Sequence, residues 1–140
     1  MNIFRFIIPK SLVEYITVDS TLRQGIEKMK FHRYVAIPVL DKEGKYLGTL
    51  KNDDILRHIL DRGNFDPKVA EKTLIGEILT GEQARPLYHN ATMSELFEFV
   101  KEHNLVPVVD DRGCFIGIIL RRDILNYILK IYNDNNRGKT

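Results

Sequence analysis

The chain contains one sequence twice. Residues 38–60 and residues 107–129 align without a gap at a constant offset of 69, and ten aligned positions are identical. Unrelated segments of ordinary composition would share roughly one or two residues over such a span. The identical pairs are Pro38/Pro107, Val39/Val108, Asp41/Asp110, Gly44/Gly113, Gly48/Gly117, Asp54/Asp123, Ile55/Ile124, Leu56/Leu125, Ile59/Ile128 and Leu60/Leu129. Upstream the offset becomes 71, so the first copy carries two extra residues between His32 and Pro38. The sequence therefore predicts one domain built from two similar halves.

Each half predicts the same order of elements, β-α-β-β-α. A short strand is expected around 15–18 and around 86–89, and helix starts at Asp19-Ser20 and at Asn90-Ala91-Thr92. Two apolar runs joined by an Asp…Gly connection then predict a hairpin in each half, 35–40 with 46–50 and 105–109 with 115–120. A last helix follows, with apolar residues at helical spacing. Expected boundaries are 8–62 for the first repeat, 63–75 for a linker, 76–132 for the second repeat and 133–140 for a flexible polar tail.

Composition narrows the class of protein. The 140 residues are 44% hydrophobic and 29% charged, as in a soluble globular domain. The net charge of +2 gives no overall field for steering nucleic acid. Cys114 is the only cysteine, which excludes an intramolecular disulfide and a cysteine-cluster zinc site. The apolar run 3–8 is interrupted by Arg5 and too short to cross a membrane. We expect a cytoplasmic protein with no membrane contact.

The repeated motif resembles a known family. Each copy has a strand ending in Ile-Pro-Val or Val-Pro-Val, an Asp…Gly hairpin, and the pattern Gly-x-x-x-x-x-Asp-Ile-Leu. Together they look like a tandem pair of CBS (cystathionine β-synthase) domains, also called a Bateman module. The resemblance covers roughly residues 8–132 and is nearest to the stand-alone bacterial pairs. The run Phe115-Ile-Gly-Ile-Ile-Leu-Arg-Arg122 also resembles the stand-alone pairs that bind cyclic di-AMP.

The resemblance implies an α/β fold, a sandwich of sheets and helices whose halves pack about a pseudo-twofold axis. It implies two clefts between the halves that bind adenine nucleotides such as AMP, ADP, ATP or cyclic di-AMP. It also implies a homodimer formed through the helices. The usual role of such a pair is to sense a ligand and signal to a partner protein, without chemistry on the ligand.

The family's ribose contact falls on Asp54 and Asp123. Each aspartate stands near the start of the last helix of its half, where two acceptor oxygens suit ribose hydroxyls. The competing interpretation is helix capping, because an acidic side chain in a first turn stabilises the helix dipole. The family also places Ser or Thr three residues earlier, where this chain has Lys51 and Leu120. Those departures weaken the transfer of nucleotide binding.

Arg121 and Arg122 are the candidate phosphate contacts. Both stand at the expected start of a helix, where a positive charge opposes the helix dipole and where free N–H groups favour an anion. A phosphate would reverse that unfavourable charge. Lys51 is the candidate cation of the first half. The alternative is that both arginines point into solvent or pair with Asp110, Asp111 or Asp123.

The resemblance assigns the base to strand backbone and apolar side chains. The matching positions are Tyr15, Tyr34, Val35 and Ala36 in the first half, and Leu105 and Val106 in the second. Tyr34 is a candidate for stacking on adenine, although an aromatic beside a strand is more often part of the core. The two extra residues next to Tyr34 predict unequal clefts, one of which can remain empty.

The sequence offers no catalytic or metal-binding pattern. The histidines lack the i, i+4 pairing of a zinc hydrolase, and no phosphate-cradling Gly-x4-Gly-Lys motif is present. We therefore predict no enzyme activity, no cofactor and no metal site. The leading hypothesis is a nucleotide-binding sensor. The alternative is a ligand-free module for dimerisation and protein interaction, and nucleic-acid contact through Lys130, Arg137 and Lys139 is a weaker third.

Overall fold

The fold was analysed in a computed structural model that describes residues 2–63, 66–79 and 85–138. Its helices are α1 (Leu22–His32), α2 (Asn52–Asp61), α3 (Pro67–Lys72), α4 (Met93–Glu102) and α5 (Arg121–Arg137). Its strands are β1 (Ile8–Pro9), β2 (Ile16–Thr17), β3 (Ala36–Leu40), β4 (Tyr46–Lys51), β5 (Leu87–Tyr88), β6 (Leu105–Val109) and β7 (Phe115–Leu120). The predicted β-α-β-β-α order is confirmed in both halves.

The two halves have matching sheets. In the first, β2 runs parallel to β3, and β3 runs antiparallel to β4. In the second, β5 is parallel to β6 and β6 antiparallel to β7. Even the irregularity repeats, since the register shifts after Val39 in β3 and after Val108 in β6. The ten shared residues therefore produce the same backbone twice, which confirms the predicted architecture of two repeats in an α/β fold.

A threonine begins the first helix of each half. The Thr21 hydroxyl accepts from the Gln24 N–H at 3.1 Å, and the Thr92 hydroxyl accepts from the Glu95 N–H at 3.2 Å. These bonds satisfy backbone donors that have no partner inside the helix. Thr21 and Thr92 are equivalent at the offset of 71, so the cap belongs to the repeat. In the first half the helix begins slightly later than the Asp19-Ser20 start predicted.

The segment before each repeat packs against one half only. Ile3 and Phe6, in a short 3-10 helix, are buried in the core of the second half. Strand β1 then pairs with β7, with Ile8 opposite Ile118. In return, Ala70 of α3 and Ile75 are buried in the core of the first half. The expected linker is thus partly helical and completes the first core, while the N-terminal segment completes the second.

The C-terminal helix is longer than the sequence suggests. Polar composition predicted a tail from Asn133, whereas α5 continues to Arg137. The residues beyond Tyr127 are exposed, so this last part of the helix is not held by burial. Backbone hydrogen bonding along the helix accounts for the difference, because it does not require apolar side chains.

The halves meet through their hairpin turns. The Tyr46 N–H donates to the Gly113 carbonyl at 3.0 Å, and the Phe115 N–H donates to the Gly44 carbonyl at 2.9 Å. Donors and acceptors are repeat equivalents, so the two bonds exchange under a twofold rotation. Gly44 and Gly113 have φ of +87° and +82°, a region that favours glycine. The pseudo-twofold axis that the resemblance implied therefore passes between these turns.

Gly117 tests the packing of the N-terminal segment on the second half, because it lies opposite Pro9 where β1 pairs with β7. A Cβ at Gly117 would overlap the Ile8 carbonyl, whereas a Cβ at its equivalent, Gly48, would meet only the flexible Leu79 side chain at 3.5 Å. We expect Gly117→Ala to lower the free energy of unfolding by about 1–3 kcal/mol, since β1 must move away from β7. Urea unfolding measures this, with Gly48→Ala as the matched control. Equal losses in the two variants would contradict the assigned packing.

Candidate functional site

One apolar cluster brings together several predicted site residues from both halves. Tyr15 from the first half packs with Leu105 and Leu120 from the second around the buried ring of Phe115. Leu105 and Leu120 lie opposite each other where β6 and β7 pair, and α5 begins directly after Leu120. The start of α5 is therefore held at the edge of this cluster. We call Tyr15, Leu105, Leu120, Arg122 and Asp123 the second-half cleft.

Two lysine side chains lie close to the Tyr15 ring. The Nζ atoms of Lys10 and Lys28 lie 5.2 Å and 5.8 Å from the centre of its ring. The Lys28 ammonium also donates to the Tyr15 carbonyl at 2.6 Å and pairs with Glu14 at 3.1 Å. Sequence reasoning missed both lysines because their repeat equivalents are not basic. Because the Glu14 carboxylate offsets the charge of Lys28, Lys10 supplies the positive charge beside Tyr15.

The Arg121 side chain forms hydrogen bonds that hold the start of α5 against the end of α4. Its guanidinium donates to the Val100 carbonyl at 2.6 Å, the Lys101 carbonyl at 3.1 Å and the Asn104 side-chain oxygen at 2.8 Å. These acceptors belong to the C-terminal end of α4 and the loop after it, where carbonyls lack helical partners and a cation is favoured. The carboxylate partners considered from the sequence are not the ones that Arg121 contacts.

Arg122 and Asp123 are more open. The Arg122 side chain is 79% exposed, and its Nε lies 3.8 Å from a carboxylate oxygen of Asp123, whose side chain is 39% exposed. Such a solvated pair contributes little to stability. Both groups can therefore turn to a ligand at small cost, a guanidinium for a phosphate and a carboxylate for a hydroxyl.

Asp54 occupies a different environment from its equivalent Asp123. It is 6% exposed, and its carboxylate accepts from the Lys51 backbone N–H at 2.9 Å at the start of α2. This is the capping arrangement that competed with ribose binding. The two halves are thus unequal at the position where the family contacts ribose.

The remaining predicted base contacts divide between surface and core. Val35 is exposed, and its carbonyl accepts from the Asn52 N–H at 3.1 Å, while Ala36 follows it at the start of β3. Val106 is fully buried, so it presents no side chain to a ligand. The Tyr34 ring stacks on His32 at 5.4 Å and lines an open groove of about 540 Å³ between α1 and α2. Tyr34 therefore packs with the first core and not with the Tyr15 cluster.

Burial and backbone contacts shift two pKa values near the turns. Burial raises the pKa of Tyr46 to about 12, against a hydrogen bond to Thr49 that lowers it. Tyr46 stacks near Phe115 at 6.4 Å and stays neutral between the halves. The hydrogen bond from the Cys114 N–H lowers the pKa of Asp110. The same carboxylate accepts a hydrogen bond from the Arg112 backbone N–H, so the ionised side chain stabilises the turn.

The described residues contain neither a metal-binding cluster nor a membrane-crossing helix. Among residues 2–63, 66–79 and 85–138 no three histidine, cysteine, aspartate or glutamate side chains gather in a way that could hold a metal ion. Within the same ranges, no helix has the length and apolar character needed to cross a membrane.

The arginine pair yields a stability prediction. Arg121→Met should lower the free energy of unfolding by about 1.5–3 kcal/mol, since it leaves the acceptors at the end of α4 without a charged donor. Arg122→Met, its exposed neighbour, should change that free energy by no more than about 0.5 kcal/mol. Thermal and urea unfolding of the two variants measure the difference. Similar losses from both would refute the structural assignment of Arg121.

Comparison with known proteins places this geometry in context. The structure of CbpB in complex with c-di-AMP matches with a TM-score of 0.85 and 25% identity, covering 99% of this chain and 91% of that one. A hypothetical conserved protein from Geobacillus kaustophilus matches with a TM-score of 0.85 and 25% identity, covering 93% and 97%. The cyclic di-AMP receptor B of Bacillus subtilis is 24% identical over 133 residues, which cover 95% of this chain and 90% of the receptor.

Enzymes also match, over a smaller part of their length. Inosine-5'-monophosphate dehydrogenase of Halalkalibacterium halodurans is 29% identical over 112 residues, and the chain spans about a fifth of it (21%). The family model described as CBS domain matches residues 8–61 and again residues 75–130. These two matches include both copies of the repeat and most of the chain, which therefore belongs to the CBS domain family.

Proposed function

We propose that this chain is a regulatory sensor that binds an adenine nucleotide, cyclic di-AMP, in the second-half cleft and acts on a partner protein without catalysis. The observation that carries the proposal is the open Arg122–Asp123 pair in the first turn of α5, directly after Leu120, which packs with Tyr15 against one apolar cluster. Two relatives that match almost this whole chain, the Bacillus subtilis receptor and CbpB, are described as a cyclic di-AMP receptor and as a complex with that nucleotide.

The chemistry of the cleft suits the ligand. Cyclic di-AMP carries two phosphates, which the Arg122 guanidinium and the Lys10 ammonium can neutralise. Asp123 can accept a hydrogen bond from a ribose hydroxyl. Leu105 and Leu120 offer apolar surface to a base, and Tyr15 adds an aromatic ring.

One cleft is better equipped than the other. The first-half equivalent of Asp123 is Asp54, which is buried and holds the start of α2. The equivalent of Arg122 is Asp53, an acidic residue that would repel phosphate. We therefore assign the ligand to the second-half cleft and assign Lys51 and Asp54 to the helix start.

Signalling would follow from linkage. A ligand that touches Tyr15 of one half and Arg122 of the other binds best to one mutual arrangement of the halves. A partner protein that prefers the same arrangement is then bound more tightly when the ligand is present. The near-neutral chain with no membrane-crossing helix among its described residues fits a site of action in the cytoplasm.

We assign the homodimer to the exposed apolar faces of α2 and α5. Leu56 and Leu60 of α2, and Leu125, Ile128 and Leu129 of α5, are large apolar residues with much of their surface exposed. Leu56 and Leu60 are the repeat equivalents of Leu125 and Leu129, while Ile59, the equivalent of Ile128, is half-buried. Contiguous apolar surface of this kind marks an interaction site.

A ligand-free interaction module is the second candidate. It is favoured by the replacement of the family's Ser or Thr with Lys51 and Leu120, and by the commitment of Asp54 to capping. In this function the fold would serve only to present the apolar helix faces to a second copy and to a partner.

Nucleotide binding separates these two functions. Cyclic di-AMP should raise the melting temperature by mass action, more than AMP, ADP, ATP or S-adenosylmethionine does. Arg122→Gln should weaken binding about tenfold or more, because a charge-assisted hydrogen bond contributes roughly 1.5–3 kcal/mol. Arg57→Gln, which removes an exposed arginine from α2, should bind as the original chain does. Titration calorimetry measures the affinities.

Two results would contradict this proposal, one for the sensor as a whole and one for the role of Arg122. No thermal shift at millimolar concentration of any of the five ligands would favour the ligand-free module. Equal affinity of Arg122→Gln and Arg57→Gln would remove Arg122 from the site while leaving nucleotide binding in place.

The proposed homodimer interface predicts how the chain sediments. The original chain should sediment as a dimer, and the double variant Leu125→Glu, Leu129→Glu should sediment as a monomer, because two buried carboxylates have no partner in an apolar interface. Leu12→Glu places the same charge at an exposed leucine outside α2 and α5 and serves as control. Sedimentation velocity distinguishes the states. A monomeric original chain, or a dimeric double variant, would be incompatible with this interface.

A further inference from the structure

The chain passes from one half to the other just before Tyr15. Strand β1 pairs with β7 in the second half, whereas β2, which begins directly after Tyr15, pairs with β3 in the first. Residues 10–15 therefore connect the two halves. The Tyr15 ring reaches the second half, with its centre 6.4 Å from that of the Phe115 ring. A contact that fixes the backbone at Tyr15 thus also fixes where this ring lies in the second-half cleft.

Lys28 of α1 makes such a contact. Its ammonium donates to the Tyr15 carbonyl at 2.6 Å, pairs with the Glu14 carboxylate at 3.1 Å and lies 5.8 Å from the centre of the Tyr15 ring. The Lys28 side chain is 35% exposed, so water shields the hydrogen bond only in part. A bond from a charged donor is also stronger than one between neutral groups. One side chain of the first half therefore holds the backbone that carries the Tyr15 ring.

The second half joins the same two elements by a different contact. At the offset of 71, Glu14 and Lys28 correspond to Arg85 and Phe99. The Arg85 guanidinium lies 5.5 Å from the centre of the Phe99 ring. The repeat therefore keeps a contact between its first helix and the segment before its short strand, but a phenylalanine side chain cannot donate to a carbonyl. The bond from Lys28 is thus an addition in the half that supplies Tyr15 to the cleft.

We propose that Lys28 is a positioning residue of the nucleotide site, which holds Tyr15 in place for the ligand through the hydrogen bond to its carbonyl; this role rests on the proposed nucleotide function. It differs from a direct attraction between the Lys28 ammonium and a phosphate, because the Glu14 carboxylate offsets that charge. The His32 Nε2 atom lies 3.7 Å from the other oxygen of the same carboxylate. Lys28 therefore acts on the ligand through the backbone of Tyr15.

Titration calorimetry with cyclic di-AMP, at about pH 8 where histidine is neutral, measures the effect of Lys28. Lys28→Met keeps an apolar stem but removes the donor, and it should weaken binding about fivefold or more, since Tyr15 is then in place in only a fraction of the molecules. Lys28→Arg retains a charged donor and should bind more tightly than Lys28→Met does. Lys30→Met removes an exposed lysine from the same helix. It is the matched control and should bind as the original chain does.

Variants of Glu14 distinguish positioning from charge. Glu14→Gln removes the carboxylate but leaves the bond from Lys28 to the Tyr15 carbonyl, so it should bind cyclic di-AMP at least as tightly as the original chain does. The double variant Glu14→Gln, Lys28→Met has the net charge of the original chain but lacks the donor, and it should remain weaker. Recovery of the original affinity in the double variant would overturn the proposal, because Lys28 would then act through its charge alone.

A measurement without nucleotide separates this proposal from the nucleotide function. With 3-fluorotyrosine incorporated into the full chain, the Tyr15 ring gives a fluorine NMR signal that Tyr15→Phe identifies by its loss. In Lys28→Met this signal should move towards that of free 3-fluorotyrosine, and in Lys30→Met it should stay where it is. An unchanged signal in Lys28→Met would refute the positioning role, whether or not the nucleotide binds. A shifted signal in a chain that does not bind cyclic di-AMP would support the hold of Lys28 on Tyr15 and reject the nucleotide function alone.

Discussion

The exchange of two backbone hydrogen bonds between the hairpin turns determines how everything else is placed. Tyr46 donates to Gly113, and Phe115 donates to Gly44, which fixes one turn against the other in a single register. The bonds need backbone groups at close range, and the positive φ of both glycines provides it. The apolar cluster of Leu40, Phe115 and Ile118 then excludes water around them. Tyr15 and Leu120 pack against this same cluster, and the pairing of β1 with β7 holds the segment before Tyr15 on the second half as well.

The backbones of the two halves are similar, but side chains at equivalent positions have different environments. Asp54 is buried at a helix start, while Asp123 remains available beside an exposed arginine. His58 lines a cavity, while Tyr127 is packed against Phe6. Duplication thus gives two positions of the same geometry, and substitutions at those positions give each half a separate chemistry.

The sequence was most informative where the repeat carries local signals. Apolar alternation around Pro38 and Pro107 and the Asp…Gly turns predicted both hairpins, because those contacts lie within a few residues of each other. The pairing of β1 with β7 joins residues more than a hundred positions apart, and no periodicity in either segment reveals it. The same holds for α3, whose short apolar content gave no sign that Ala70 reaches the first core.

The candidate site was predicted in part, for a related reason. Position within the repeat predicted Leu105, Arg122 and Asp123 as site residues; Leu105 packs with Tyr15 against one apolar cluster, and the side chains of Arg122 and Asp123 are exposed to solvent at the start of α5. It could not identify the acceptors of Arg121, since backbone carbonyls at the end of α4 carry no sequence signature. Nor could it find Lys10 and Lys28, which approach Tyr15 from elements without basic equivalents in the other half.

The packing of the N-terminal segment on the second half has a consequence for the order of folding. Residues 3–9 are synthesised before both halves, whereas their packing partners in β7 and the second core come much later in the chain. The first half can close on α3 and Ile75 while synthesis continues. The apolar N-terminal segment, in contrast, lacks its partner until β7 has been made, and closure of this long loop is an entropic cost. The second half therefore cannot complete its sheet before its last strand is available.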